Sequence, residues 1–294
     1  MGGGQLADFG DLFDPSDAAE PILSGATRAA LTEWLTEIWA EEQLRAVGIS
    51  PRKRAIFDGP PGVGKTTLAH HLAARLGLPM IAVRPDRIIS KYVGDTGKQI
   101  GRLFDLARAA DPPVLVFIDE FDAISPQRRK AEQASDNSRN EEVNTLLQRL
   151  EQHDGFLIAA TNFGAHIDKA IWRRFDMHVS LALPGQRERE LIIDRYLAPY
   201  ALPADALALL ARALDEASPA LIRALCEGLK RQFIVGPLLN FDMGCGAVLD
   251  RLTTSIQPHP DIGRPRLWEV RSREQVVKGL PWPIPRVDEQ GSGA

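Results

Sequence analysis

Gly59-Pro60-Pro61-Gly62-Val63-Gly64-Lys65-Thr66-Thr67 fits the pattern G-x-x-x-x-G-K-[ST] at every defined position. Each residue type in it has a chemical reason. Gly59, Gly62 and Gly64 permit a backbone path whose N–H groups turn inward around a chain of phosphates. Lys65 reaches the β- and γ-phosphates, and the Thr66 hydroxyl holds Mg²⁺. The flanks agree with this reading: Ala55-Ile56-Phe57 reads as a short buried strand, and Thr66 to Leu76 as a helix closed by Gly77. Phosphate would then rest on a helix N-terminus. The whole stretch from Gly59 to Thr67, with Pro60, Pro61, Val63 and Thr67 included, is therefore expected to bind a nucleoside triphosphate with Mg²⁺.

Working outward, the same rhythm of short apolar run and amphipathic helix repeats. Before the loop, Leu31, Trp34, Leu35, Ile38, Trp39 and Leu44 recur at helical spacing among Glu33, Glu37, Glu41 and Glu42, predicting one helix from Ser24 to Val47 that ends near Gly48. After the loop come a strand at Met80 to Val83 and a helix from about Gly97 to Ala110 that stops before Pro112-Pro113. Val114 to Ile118 is continuously apolar, as a central parallel strand buried on both faces should be. Further strands are expected at Phe156 to Ala160 and around His178 to Leu183. Five strands alternating with helices predict an α/β fold with a doubly wound parallel sheet. Past Pro184 the strands stop, and helices at Arg187–Leu197, Ala204–Leu214 and Pro219–Phe233 predict a small all-helical second domain. The expected division is a flexible segment 1–20, a nucleotide-binding domain 21–184, a helical lid 185–235 and an extended tail 236–294 with one short helix near Ala247 to Leu252.

Composition narrows the function classes. The chain has 294 residues, 44% of them hydrophobic, and a formal net charge of −4, which gives no support for a nucleic-acid-binding surface. Its two cysteines, Cys226 and Cys245, are too few for a disulfide framework or a zinc site and point to a reducing cytoplasm. The longest apolar run falls far short of the roughly 20 residues a bilayer span needs, so no membrane association is expected. Neither H-E-x-x-H nor G-x-S-x-G occurs, so any proteolysis requires a separate partner.

The buried strand is followed directly by Asp119 and Glu120. The carboxyl end of a parallel strand is where α/β sheets place ligands, so Asp119 can serve the Mg²⁺ shell and Glu120 can act as base toward the attacking water. Taken together, residues 20 to 235 resemble the AAA+ superfamily, in particular the AAA branch that holds katanin, spastin and the proteasomal ATPases. Residues 59 to 67 resemble that branch's Walker A, and Val116 to Asp122 its Walker B. Ala159-Ala160-Thr161-Asn162 is similar to its sensor 1 segment, which implies that Asn162 aligns the lytic water. Ile171-Trp172-Arg173-Arg174-Phe175-Asp176 resembles its arginine-finger segment. The resemblance thus implies that Arg173 and Arg174 serve a neighbouring subunit's nucleotide in a homo-oligomeric, hexameric ring. Such fingers supply about 10³ to 10⁵ in rate.

Ser90-Lys91-Tyr92-Val93-Gly94-Asp95 is similar to the branch's first pore loop, which implies that Lys91, Tyr92 and Val93 grip an extended protein substrate. Residues 125 to 140 would form a second pore loop, with Arg128, Arg129 and Lys130 as candidates. Ser218-Pro219-Ala220-Leu221-Ile222 resembles the lid segment near the adenine, implying nucleotide contacts at Ser218 and Ala220. Here Pro219 replaces the branch's Gly and Arg223 is close by, so contact through backbone and contact through an arginine both stay open. The expected activity is that of an ATP-hydrolysing ring that remodels, unfolds or translocates proteins, working with an adaptor or protease. The alternatives are a nucleic-acid-associated ATPase of the helicase or transposition-loader type, and an ATP-dependent assembly switch.

Overall fold

A computed structural model describes residues 3–88, 95–124, 144–164 and 167–287. Two compact units emerge: Met1–Pro21, Gly25–Gly59 and Lys65–Leu181 form the first, and Ile22–Ser24, Pro60–Gly64 and Ala182–Ala294 the second.

The first unit contains α1 (Gly3–Leu6), β1 (Gly10–Phe13), α2 (Gly25–Trp39), α3 (Glu41–Ala46), β2 (Arg54–Asp58), α4 (Lys65–Arg75), β3 (Met80–Val83), α5 (Pro85–Ile88), α6 (Asp95–Arg108), β4 (Leu115–Ile118), α7 (Phe121–Ile124), α8 (144–152), β5 (Leu157–Thr161), α9 (Lys169–Trp172) and β6 (Met177–Ser180). The strands make one sheet in the order β1-β3-β4-β5-β2-β6. The five expected strands are all parallel, with β2 paired to β5 on one side and to β6 on the other. Every residue of β4 and β5 is buried, which is what their unbroken apolar runs require. Helix α4 buries Leu68, Ala69, Leu72 and Ala73. It ends where Gly77 takes φ +69° and Leu78 N–H donates to the Ala73 carbonyl at 2.9 Å.

Two expectations for this unit are corrected. Residues 1–20 are polar and Gly-rich enough to read as a flexible segment, yet Leu6 and Phe9 are 1% and 2% exposed in the main core, and β1 adds a sixth, antiparallel strand along β3. Gly10 permits this, since a Cβ there would lie 1.9 Å from the Ala82 carbonyl oxygen. The helix expected over Ser24–Val47 breaks at Ala40, whose φ of −90° and ψ of 21° end α2. Trp39 is left exposed with the Arg75 guanidinium over its ring, and Glu41 in α3 pairs with both Arg45 and Lys53.

The second unit holds α10 (Gln186–Leu197), α11 (Ala204–Ala213), α12 (Pro219–Leu238), α13 (Cys245–Ser255) and α14 (Val270–Gly279) around their own core. The extended tail expected over 236–294 is also corrected. Leu249, Leu252, Leu267, Val276 and Ile284 are buried in the same cluster as Ile193, Leu210 and Leu225. Trp268 Nε1 donates to the Ile256 carbonyl at 2.9 Å, and Trp282 Nε1 to that of Met243 at 2.6 Å. Trp268 is buried and Trp282 half-buried, each with its one donor satisfied. Cys226 and Cys245 are free and buried, and burial pushes their thiols up to about 12 and about 11. Among the described residues no helix is long and apolar enough to cross a membrane.

Candidate nucleoside triphosphate site

Strand β2 ends at Asp58, and the chain turns at Gly59 with φ +154°. A Cβ at Gly59 would lie 2.2 Å from the Leu181 carbonyl oxygen, so only glycine fits the close approach. Lys65, the first residue of α4, is 7% exposed. Its ammonium donates to the Gly59 carbonyl and to Asn162 Oδ1, both at 2.7 Å. Burial holds its pKa below the usual lysine value, against the opposing pull of the Asp119, Asp58 and Asp122 carboxylates. One residue on, Thr66 Oγ1 donates to Asp119 Oδ2 at 3.1 Å. Gly59, Asp119 and Asn162 follow the carboxyl ends of β2, β4 and β5, which are neighbours in the sheet. Residues far apart in the chain thus converge where a parallel sheet presents ligands.

Glu120 is exposed, and its carboxylate makes no hydrogen bond or ion pair among the described residues. Its backbone lies at φ +47°, a left-handed conformation uncommon for a residue with a side chain. Asp119 Oδ1 accepts the Glu120 N–H at 2.9 Å, and the Glu120 carbonyl accepts from Ala123 N–H at 2.8 Å.

Two features of the site escape sequence reasoning. Thr161 Oγ1 donates to Asp122 Oδ1 at 2.7 Å and accepts from Phe163 N–H at 3.0 Å. Phe121 and Phe175 meet edge to face at 5.5 Å, joining the turn after β4 to the arginine segment. Each residue lies inside a recognisable motif, but the pairings arise from the adjacency of strands, which no single motif encodes.

The family described as "ATPase family associated with various cellular activities (AAA)" matches residues 55–183, the span that carries this convergence. Over that span the chain is similar to the AAA family of ATPases. It is 40% identical over 173 residues to an uncharacterized AAA family ATPase of Sinorhizobium fredii, covering 58% of this chain and 51% of that protein. It is 34% identical over 195 residues to the proteasome-activating nucleotidase of Methanothermobacter thermautotrophicus, covering 63% of this chain and 47% of the relative. It is 38% identical over 183 residues to the ATP-dependent zinc metalloprotease FtsH 3 of Sphaerobacter thermophilus, covering 58% and 36% respectively. The chain thus spans about half the length, or less, of these curated relatives.

Within the second unit, Gly62 has φ +74°, and a Cβ there would come within 3.0 Å of both Ser218 Oγ and Ala220 Cβ. The Ala220 N–H donates to the Gly62 carbonyl at 3.1 Å. Ser218 is buried and caps α12 by accepting from Leu221 N–H at 3.2 Å, with Pro219 at the first helical position. The structure therefore brings Ser218 and Ala220 beside Gly62. Arg223, by contrast, gives its guanidinium to Glu227 at 2.7 Å and lies over the Tyr196 ring.

Arg173 and Arg174 end and follow α9, and both are exposed. Arg174 pairs with Glu151 at 2.5 Å, and Arg173 makes no side-chain pair among the described residues. Lys91, Tyr92 and Val93, and the candidate second pore loop at 125–140, lie outside the described residues.

Proposed function

We propose that this chain hydrolyses Mg·ATP at the Lys65 site as a subunit of a homo-oligomeric, hexameric ring, and that hydrolysis drives remodelling or unfolding of a protein substrate. The observation that carries the chemistry is the convergence of Lys65, Thr66, Asp119 and Asn162 beside a glycine turn that tolerates no side chain. Thr66 and Asp119 supply the hard oxygens that suit Mg²⁺, which keeps most of its shell for water and phosphate. Bound there, Mg²⁺ would neutralise charge on the phosphate oxygens.

The chain's own groups then have distinct tasks. The Lys65 ammonium holds phosphate oxygens at the helix N-terminus. Asn162, on the next strand end, orients the attacking water through its amide. Glu120, exposed and with no side-chain pair among the described residues, accepts the proton of that water at its carboxylate. Arg173, exposed and without an ion pair among the described residues, is available to a neighbouring copy, and Arg174 becomes available by releasing Glu151. Such a cation in trans stabilises charge that develops only in the transition state.

The protein-remodelling part of the proposal rests on similarity to relatives named as a proteasome-activating nucleotidase and an ATP-dependent metalloprotease, and on Lys91-Tyr92-Val93 in the expected place. The test pairs two variants. Glu120→Gln should retain ATP binding and lose hydrolysis by at least about 10²-fold. Tyr92→Ala should keep hydrolysis and lose unfolding of a tagged polypeptide. Hydrolysis untouched by Glu120→Gln would refute the assigned base, and unfolding untouched by Tyr92→Ala would refute the pore role.

A further inference from the structure

We propose that Thr161 is a positioning residue that holds the Glu120 base and the Asn162 amide in a fixed mutual geometry through one side-chain link to Asp122. The inference rests on the Mg·ATP hydrolysis proposed above and adds to it a residue for which the motifs assign no role.

Glu120 sits at φ +47°. That conformation is disfavoured for a non-glycine residue and persists only where its surroundings hold it. On its N-terminal side the Asp119 carboxylate accepts the Glu120 N–H. On its C-terminal side the turn is anchored by Asp122, whose Oδ1 accepts from Thr161 Oγ1 at 2.7 Å. Thr161 is fully buried at the end of β5, one residue before Asn162. Its oxygen also accepts the Phe163 N–H at 3.0 Å, so one hydroxyl bridges the turn after β4 and the backbone on the far side of Asn162. The residues carrying the base and the amide, two positions before Asp122 and one after Thr161, are thereby tied across adjacent strands. Asn162 also receives the Lys65 ammonium at 2.7 Å, so the tie extends to the phosphate-binding cation.

A hydroxyl-to-carboxylate bond of this kind is charge-assisted and short. Its loss leaves β4 and β5 packed by their apolar residues but frees the Glu120 turn to relax toward ordinary backbone angles. The expected signature is catalytic rather than structural. Thr161→Val, which removes the hydroxyl at nearly constant volume, should lower kcat about ten- to hundredfold in the full-length protein. Affinity for a non-hydrolysable ATP analogue should stay within about threefold, because the glycine turn, Lys65 and Thr66 are untouched. Thr161→Ser should restore most of kcat. Asp122→Ala should reproduce the loss, and the Thr161→Val, Asp122→Ala double variant should be no worse than either single one. If Thr161→Val does not fold, Asp122→Ala carries the same kcat-against-affinity test. Unchanged kcat in Thr161→Val and Asp122→Ala would overturn the proposal, as would kcat and analogue affinity falling in parallel. A wild-type protein that leaves ATP intact would instead refute the hydrolysis reading itself.

Discussion

His153 offers a quantitative test of the core. It lies between α8 and β5, 4% exposed, with its ring stacked on Phe104 at a centroid distance of 4.6 Å. Neither ring nitrogen makes a hydrogen bond of good geometry to a described residue. Burial, reinforced by the nearby Arg108 cation, pushes its pKa from 6.5 down to about 4. The folded protein therefore resists protonation at pH values where the unfolded chain accepts a proton, and stability rises with pH through that interval. The contribution is fully present above about pH 6.5 and is lost progressively as the pH falls toward 4. At about 1.4 kcal/mol per pH unit, the loss should reach about 2 kcal/mol by pH 5 and about 3 kcal/mol by pH 4. The assay is urea unfolding followed by circular dichroism at intervals between pH 7.5 and 4.5, on the wild type and on His153→Leu, which cannot titrate. Carboxylates common to both proteins cancel in the difference. The wild-type stability should fall more steeply than that of the variant below pH 6.5. Parallel pH profiles, or a His153 titration by NMR near 6.5, would refute the reasoning.

Two further outcomes follow from the geometry. Mixing Lys65→Ala subunits with subunits carrying Arg173→Ala and Arg174→Ala should give more hydrolysis than either preparation alone, because only mixed interfaces combine an intact phosphate loop with intact arginines. Proven co-assembly without recovery would refute fingers acting in trans. Trp268→Ala should destabilise the second unit by about 3–5 kcal/mol, since it empties a buried indole site and orphans the Ile256 carbonyl. A loss below about 1 kcal/mol in chemical denaturation would return residues 256–284 to the status of a loosely attached tail.

The parts of the molecule that were legible in the sequence are those in which a local run of residues carries its own structural instruction. Val114 to Ile118 could only be a strand buried on both faces, and residues 59–67 could only turn tightly into a helix. The order of the five parallel strands was not written anywhere in one segment, and with it went the pairing of Thr161 with Asp122 and of Lys65 with Asn162. The misreadings share a physical cause. Strand β1 has only Leu12 and Phe13 as apolar members and owes its place to hydrogen bonds along β3 and to Leu6 and Phe9, which lie outside it. Residues 256–284 are interrupted by prolines, so their apolar side chains show no period, although Leu267, Trp268, Val276 and Leu280 are all buried. Periodicity detects faces of regular elements and overlooks anchors set singly into an irregular path.

The short antiparallel strand at the sheet margin also has a consequence for solubility. Without β1, the strand Met80–Val83 would present a row of unpaired amides and carbonyls on an apolar run, a template for edge-to-edge aggregation. With β1 in place, the outermost strand is only four residues long, carries Asp11 facing water, and leads within two residues into Pro15, which has no amide to offer. The strand Gly10–Phe13 therefore guards Met80–Val83 against edge-to-edge pairing.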